Sequence, residues 1–252
     1  MLAARGVTLQ AGRRALVAGL DLDVAPGELW AVLGCNGSGK STLLAALAGL
    51  AQPAAGGVSV GGRALAAWPR RALAREAGLL LQREDHDYWG TLADYVRLGR
   101  YPHAGPPFGG DAAGDATVAA ALAVFDLAAC AGQRYATLSG GERQRARLAQ
   151  LWAQAPRLLL LDEPLQHLDL RHQLQAMAAI RAAVQAEARA ALVVLHDIAF
   201  AAHCDRVLLL YGDGRHAQGA ATELLTPERL GELYGCRLAR CAGDAAHLVP
   251  VI

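Results

Sequence analysis

The segment ELWAVLGCNGSGKSTLLAALAGL, residues 28–50, constrains this 252-residue chain more than any other. A nearly continuous apolar run of strand length leads into GCNGSGKST, and a helical pattern follows. That is G-x-x-x-x-G-K-[ST] in the setting the motif requires, a strand before it and a helix after it. Glycines let successive backbone amides point inward, and the helix start adds its positive end, so the turn can cradle phosphates. Gly34, Cys35, Asn36, Gly37, Ser38, Gly39, Lys40, Ser41 and Thr42 form the candidate cradle. Lys40 is placed to reach β- and γ-phosphate oxygens, and Ser41 to ligate magnesium.

The rest of the chain repeats the strand-and-helix alternation of an α/β sheet. ELWAVLG (28–34), AGLLLQ (77–82), RLLLLDEP (157–164) and ALVVLHD (191–197) are predicted parallel strands, apolar throughout because both faces would be covered. Leu170, Leu174, Met177, Ile180 and Val184 recur at steps of three or four and predict an amphipathic helix. The N-terminus (2–26) and GGVSVGGRAL (56–65) predict a small antiparallel β layer, and VLLLYGDGRHAQG (207–219) a hairpin. Residues 83–155 show no strand pattern; Val118, Leu122, Phe125 and Ala129 predict one helix face there. One domain is therefore expected over 1–252, a core of 1–82 and 156–252 with a helical insertion of 83–155.

Composition narrows the classes. Hydrophobic residues make up 54%, but the excess is mostly alanine between charges, and no run approaches the eighteen apolar residues of a membrane span. The first ten residues, MLAARGVTLQ, lack the apolar stretch of a secretion signal, so a cytoplasmic protein is expected. A net charge of +1 offers no field for nucleic acid or an anionic membrane. Five cysteines at irregular spacing, with no CxxC pair, read as free thiols.

Polar residues punctuate the strand ends. LLLLDEP offers Asp162 for magnesium and Glu163 as general base. Gln82 and His196 end two further strands, and ligands of open parallel sheets bind outside the strand carboxyl ends, so all four residues face one crevice. A different oddity lies in LSGGERQ (138–144). Ser139 and Glu142 form a capping box, yet Gly140 and Gly141 occupy the first helical positions, where each costs about 1 kcal/mol against alanine.

With these residues in place the sequence resembles the ATP-binding subunits of ABC transporters along nearly its whole length. GCNGSGKST looks like the Walker A motif, Gln82 the Q-loop, LSGGERQ the signature, LLLLDEP the Walker B, LQHLD the D-loop ending in Asp169, and His196 the H-switch. The resemblance implies a P-loop NTPase (RecA-like) core with an N-terminal antiparallel β layer and an inserted helical subdomain, the ABC ATPase fold. It implies ATP and Mg2+ as cofactors, with Ser41, Gln82 and Asp162 on the metal and Glu163, His196, Gln82 and Lys40 as the catalytic set. It also implies a head-to-tail homodimer in which Ser139, Gly140, Gly141, Glu142 and Asp169 act in trans on the nucleotide of the other copy.

LGRYPH (98–103), HLDLRHQ (167–173), LHDIAFAAHCDRVLLL (195–210) and LTPERLGELYG (225–235) narrow the resemblance to importers of iron–siderophores, haem and vitamin B12. Cobalamin is the first choice of cargo, on YWGTLADYVRLGRYPH and the tail HLVPVI. Two integral-membrane permease subunits and, indirectly, a periplasmic or extracellular substrate-binding protein are the implied partners, with no nucleic acid, at the cytoplasmic face of the inner membrane. An exporter subunit and a soluble, non-transport ABC ATPase acting on nucleic acid or ribosomes remain as alternatives; the near-neutral single domain weighs against the second.

Three positions depart from or extend the family pattern. Gln10 stands where an aromatic side chain usually stacks on adenine, and Cys35 where proline is common, close to a helix start that can activate a thiol. His167 is expected to pack across the dimer. The loop REDHDYWG, with Asp87, Tyr88 and Trp89, is expected to meet the membrane subunits.

Overall fold

The computed structural model describes residues 1–82, 88–105, 111, 113–186, 188–241 and 244–250. The chain opens with β1 (Leu2–Ala11) and β2 (Arg14–Val24), then β3 (Leu29–Leu33), the phosphate turn and α1 (Lys40–Leu47). Next come β4 (Ala55–Val60), β5 (Arg63–Ala64), α2 (Arg70–Glu76) and β6 (Ala77–Leu80). Three helices follow, α3 (Leu92–Arg97), α4 (Gly114–Val124) and α5 (Gly140–Gln154). The chain then returns through β7 (Leu158–Asp162), α6 (Leu170–Ala186), β8 (Ala190–Val194), α7 (Ile198–Ala201), β9 (Arg206–Leu210) and β10 (His216–Ala220). It finishes with α8 (Ala221–Leu224), α9 (Pro227–Tyr234) and the hairpin β11 (Leu238–Cys241) and β12 (Asp244–Pro250).

Six strands form the central sheet in the order β10-β9-β3-β8-β7-β6, all parallel except the edge hairpin strand β10. The apolar runs are continuous because alternate residues feed two separate cores. Leu29, Ala31, Leu33, Leu159, Leu161, Ala191 and Val193 pack toward the face that carries α3–α6. Trp30, Val32, Leu158, Leu160, Leu192 and Val194 pack on the other face, against α1 and the antiparallel sheet β2-β1-β4-β5. This two-sided burial is why the strands read as hydrophobic blocks rather than as alternations.

Two predicted helical faces are shorter than their patterns. α4 stops at Val124 because Asp126 adopts a left-handed φ of 55°, so Ala129 lies exposed in a separate 3₁₀ turn instead of extending the face of Val118, Leu122 and Phe125. In α6, Met177, Ile180 and Val184 are buried, but Leu170 and Leu174 at the N-terminal end are 66% and 55% exposed. Among the described residues of 83–155 there is no strand, and α3, α4 and α5 pack on one another.

Candidate active site

The phosphate turn is held by close approach. A Cβ at Gly34 would lie 2.5 Å from both the Leu210 carbonyl and Ser38 Oγ, and one at Gly39 (φ 100°) would lie 3.0 Å from Leu16 Cβ. The turn can therefore tighten only with glycine at these two positions. The N-cap of α1 is Gly39, which supplies no side-chain acceptor, and its first turn carries no acid, so the start of the helix keeps its amides and its positive end for an anion. Lys40 is buried and donates to the carbonyls of Gly34 and Cys35 at 2.8 and 3.0 Å. Burial lowers the pKa of its ammonium, against the pull of Glu163 and Asp162.

Strand β7 delivers the two acids. Asp162, its last residue, is buried; burial pushes its carboxyl pKa up and Glu163 adds to the effect, while the Ser41 hydroxyl, hydrogen-bonded to it, opposes the shift. One of its oxygens, Oδ1, is buried with no hydrogen-bond partner among the described residues. Glu163 follows with φ 52°, a left-handed turn that swings its carboxylate away from the strand direction. Such a backbone costs of order 1 kcal/mol and is kept where the surroundings over-determine it. Gln82 Nε2 donates to Glu163 Oε2 at 3.0 Å, and His196 Nε2 lies 2.7 Å from Glu163 Oε1. The carboxylate is thus held on both oxygens by residues that follow two other strands, Gln82 two positions beyond β6 and His196 two beyond β8.

The signature residues form a second, outward-facing group. Ser139 Oγ accepts from the Glu142 amide at 3.3 Å, and Glu142 Oε2 accepts from the Ser139 amide and hydroxyl, each at 2.8 Å. The capping box is complete, and these bonds hold the Glu142 carboxyl below its ordinary range. The two glycines differ. A Cβ at Gly141 would sit 3.1 Å from the His167 carbonyl, whereas one at Gly140 meets nothing within 4 Å among the described residues. Packing within the chain thus accounts for Gly141 and not for Gly140. Asp169 Oδ1 accepts from the His172 amide and lies against His172 Nδ1, each at 2.9 Å, so it serves the start of α6 in its own chain. His167 is exposed, with φ 62°.

Gln10 is exposed near the end of β1 and pairs with Ala15; the next residue, Leu16, is the one that abuts Gly39, which sets this hairpin against the phosphate turn. Cys35 is exposed, and its thiol donates to the Leu233 carbonyl at 3.2 Å, joining the turn to α9. Of the predicted membrane-facing loop, residues 83–87, including Asp87, lie outside the described residues. Tyr88 packs edge-on to Tyr95 and Tyr135, and Trp89 is 92% exposed. Two polar side chains escaped the sequence reading. Gln144 and Arg147 on α5 are buried, and they reach the backbone of Pro164, Leu81 and Gln82. The clue was present: both stand on the apolar face of α5, beside Ala146, Leu148 and Leu151.

A family model for ABC transporters matches residues 17–166. The hemin import ATP-binding protein of Pseudomonas entomophila is 41% identical over 93% of this chain and 92% of its own length. That of Rhizobium meliloti is 35% identical over 100% and 97%. Among solved structures, one described as an inward-facing metal-chelate type ABC transporter superposes with a TM-score of 0.82 at 27% identity, covering 100% of this chain and 97% of its own. The chain belongs to the ABC transporter family. Within that family it is an ABC-type ATPase, built on the ABC ATPase fold.

Proposed function

We propose that the chain is the ATP-hydrolysing subunit of a haem importer. The observation that carries hydrolysis is the placement of Glu163, buried, turned out of β7 and held by Gln82 and His196 beside Lys40. Glu163 is positioned to accept the proton of a water attacking the γ-phosphorus. The bond to the β-phosphate oxygen then breaks in line, releasing ADP and phosphate. Lys40 offsets charge on the β and γ oxygens, and His196 holds Glu163 in place.

The buried Asp162 Oδ1, beside the Ser41 hydroxyl, fits a hard, oxygen-seeking cation, so Ser41 and Asp162 would hold Mg2+, with the Gln82 amide nearby. When bound, that ion supplies neutralisation of the phosphate charge. Ser139, Gly140, Gly141, Glu142 and Asp169 are assigned to the nucleotide of a second copy in a head-to-tail homodimer. The open space at Gly140 supports this, since no described residue of its own chain requires a glycine there.

Import and cargo rest on the relatives, whose names specify hemin, rather than on the tail and 88–103 resemblance that favoured cobalamin. The assembly would add two permease subunits and a substrate-binding protein, with this chain peripheral at the cytoplasmic face; no helix among the described residues is long and apolar enough to cross a membrane. The test is uptake by cells that lack their own importers and carry this chain with whatever permease and binding-protein genes lie beside its own. Haem is expected to accumulate, and Glu163→Gln to abolish the accumulation. Uptake of cobalamin or a ferric siderophore in place of haem would overturn the cargo assignment, and efflux would overturn import.

A further inference from the structure

We propose that Arg147 is a positioning residue for Gln82, and through it for Glu163; the inference rests on the hydrolytic reading of those two residues. The pairing of β6 with β7 ends at Leu80 and Leu161, so Leu81 and Gln82 continue past the sheet. They run along an edge, because among the described residues β6 has a neighbouring strand on one side only. Arg147 takes over where the ladder stops. Its guanidinium, buried in α5, donates to the Leu81 carbonyl and to the Gln82 carbonyl, the latter at 3.4 Å.

Arg147 is itself held in place. Its Nη1 donates to Gln144 Oε1 at 2.9 Å, and Gln144 Nε2 donates to the Pro164 carbonyl at 3.0 Å. One pair of buried side chains on the signature helix therefore grips the chain on both sides of the carboxylate, at the residue that hydrogen-bonds Glu163 and at the residue that follows it. A planar guanidinium can serve two successive carbonyls at once, which a lysine ammonium on a flexible stem does less well. Without the fork, the Leu81–Gln82 segment past the end of β6 loses these two anchors, and the bond from Gln82 Nε2 to Glu163 Oε2, now 3.0 Å, is held less closely. The start of α5, proposed above to face a second nucleotide, and the Arg147 fork belong to one continuous helix.

The test is a double-mutant cycle on ATP hydrolysis by the purified full chain, with Arg147→Met, Gln82→Ala and both together. Arg147→Met is expected to lower kcat about tenfold with KM for ATP changed by less than about twofold, and to cost less than about twofold when Gln82 is already alanine. Arg147→Lys should fall between wild type and Arg147→Met, and it carries the same cycle if Arg147→Met does not fold. Multiplicative losses in the double variant, or a loss confined to KM, would overturn the proposal and leave the role of Gln82 standing. A Gln82→Ala enzyme with unchanged kcat would remove the reading of Gln82 and the proposal with it.

Discussion

Gln10, Glu142 and Asp162 each have a consequence set by the chemistry of one side chain. Gln10 sits on the hairpin that abuts the phosphate turn, and an amide grips a purine face less well than a phenol ring does. GTP should therefore be hydrolysed nearly as well as ATP, and Gln10→Tyr should restore a preference for ATP; steady-state rates with both nucleotides decide it. Glu142 makes a pH prediction. Its carboxyl is held below the ordinary 4.5 by the Ser139 amide and hydroxyl, so between the two values the unfolded chain binds more protons than the folded one. Its contribution is complete above about pH 4.5 and is lost as pH falls through the lowered value. Replacing Glu142 with glutamine should cost at most about 1 kcal/mol near neutrality, discounted for partial exposure, and the gap from wild type should close on acidification in thermal unfolding. Asp162 has the opposite sign: burial raises its value above 3.8, so its charged form costs stability as pH rises through that window.

Helix α5 holds three functions in fifteen residues, a capping box, a candidate trans surface and a fork onto the segment after β6. The box was legible because Ser-x-x-Glu satisfies two orphan amides within four residues, a local matter. The fork was legible only in part: its place on the apolar face of α5 marks Arg147 as buried, but its partners Leu81 and Gln82 lie 66 and 65 residues away, where no local pattern names them. Gly140 separates stability from function at this scale. It has no left-handed φ and no neighbour among the described residues where a Cβ would go, so Gly140→Ala should raise the stability of the isolated chain by up to about 1 kcal/mol. The same change should lower ATPase activity by an order of magnitude or more if a phosphate from another copy has to approach it. Denaturation midpoints beside turnover measure both effects.

For the whole molecule, the turn of Lys40 and the start of α5 belong to different parts of the chain, and the hydrogen bonds of Ser139 and Glu142 close on each other. A monomer on this reading holds half of each nucleotide site. ATPase rate per chain should rise with protein concentration in the dilute range, and Glu163→Gln with ATP should elute as a dimer in size-exclusion chromatography. A rate per chain that stays constant on dilution, or a Glu163→Gln chain that stays monomeric in ATP, would count against the shared site. Leu170 and Leu174 at the start of α6, close to Asp169, are exposed.

The sequence by itself determined the α/β class, the phosphate turn, the strand-end acids and the order of the motifs, because each depends on residues close together in the chain or on a strand's two-sided burial. Tertiary structure decided the rest. That Gln82 and His196 meet Glu163, 81 and 33 residues away along the chain, depends on the strand order β8-β7-β6, and no periodicity encodes which strands lie side by side. The same holds for Gly141, whose missing side chain makes room for the His167 carbonyl, and for Arg147, whose partners lie beyond the end of a sheet ladder. Short-range chemistry names the candidate groups, and long-range packing sets which of them can touch.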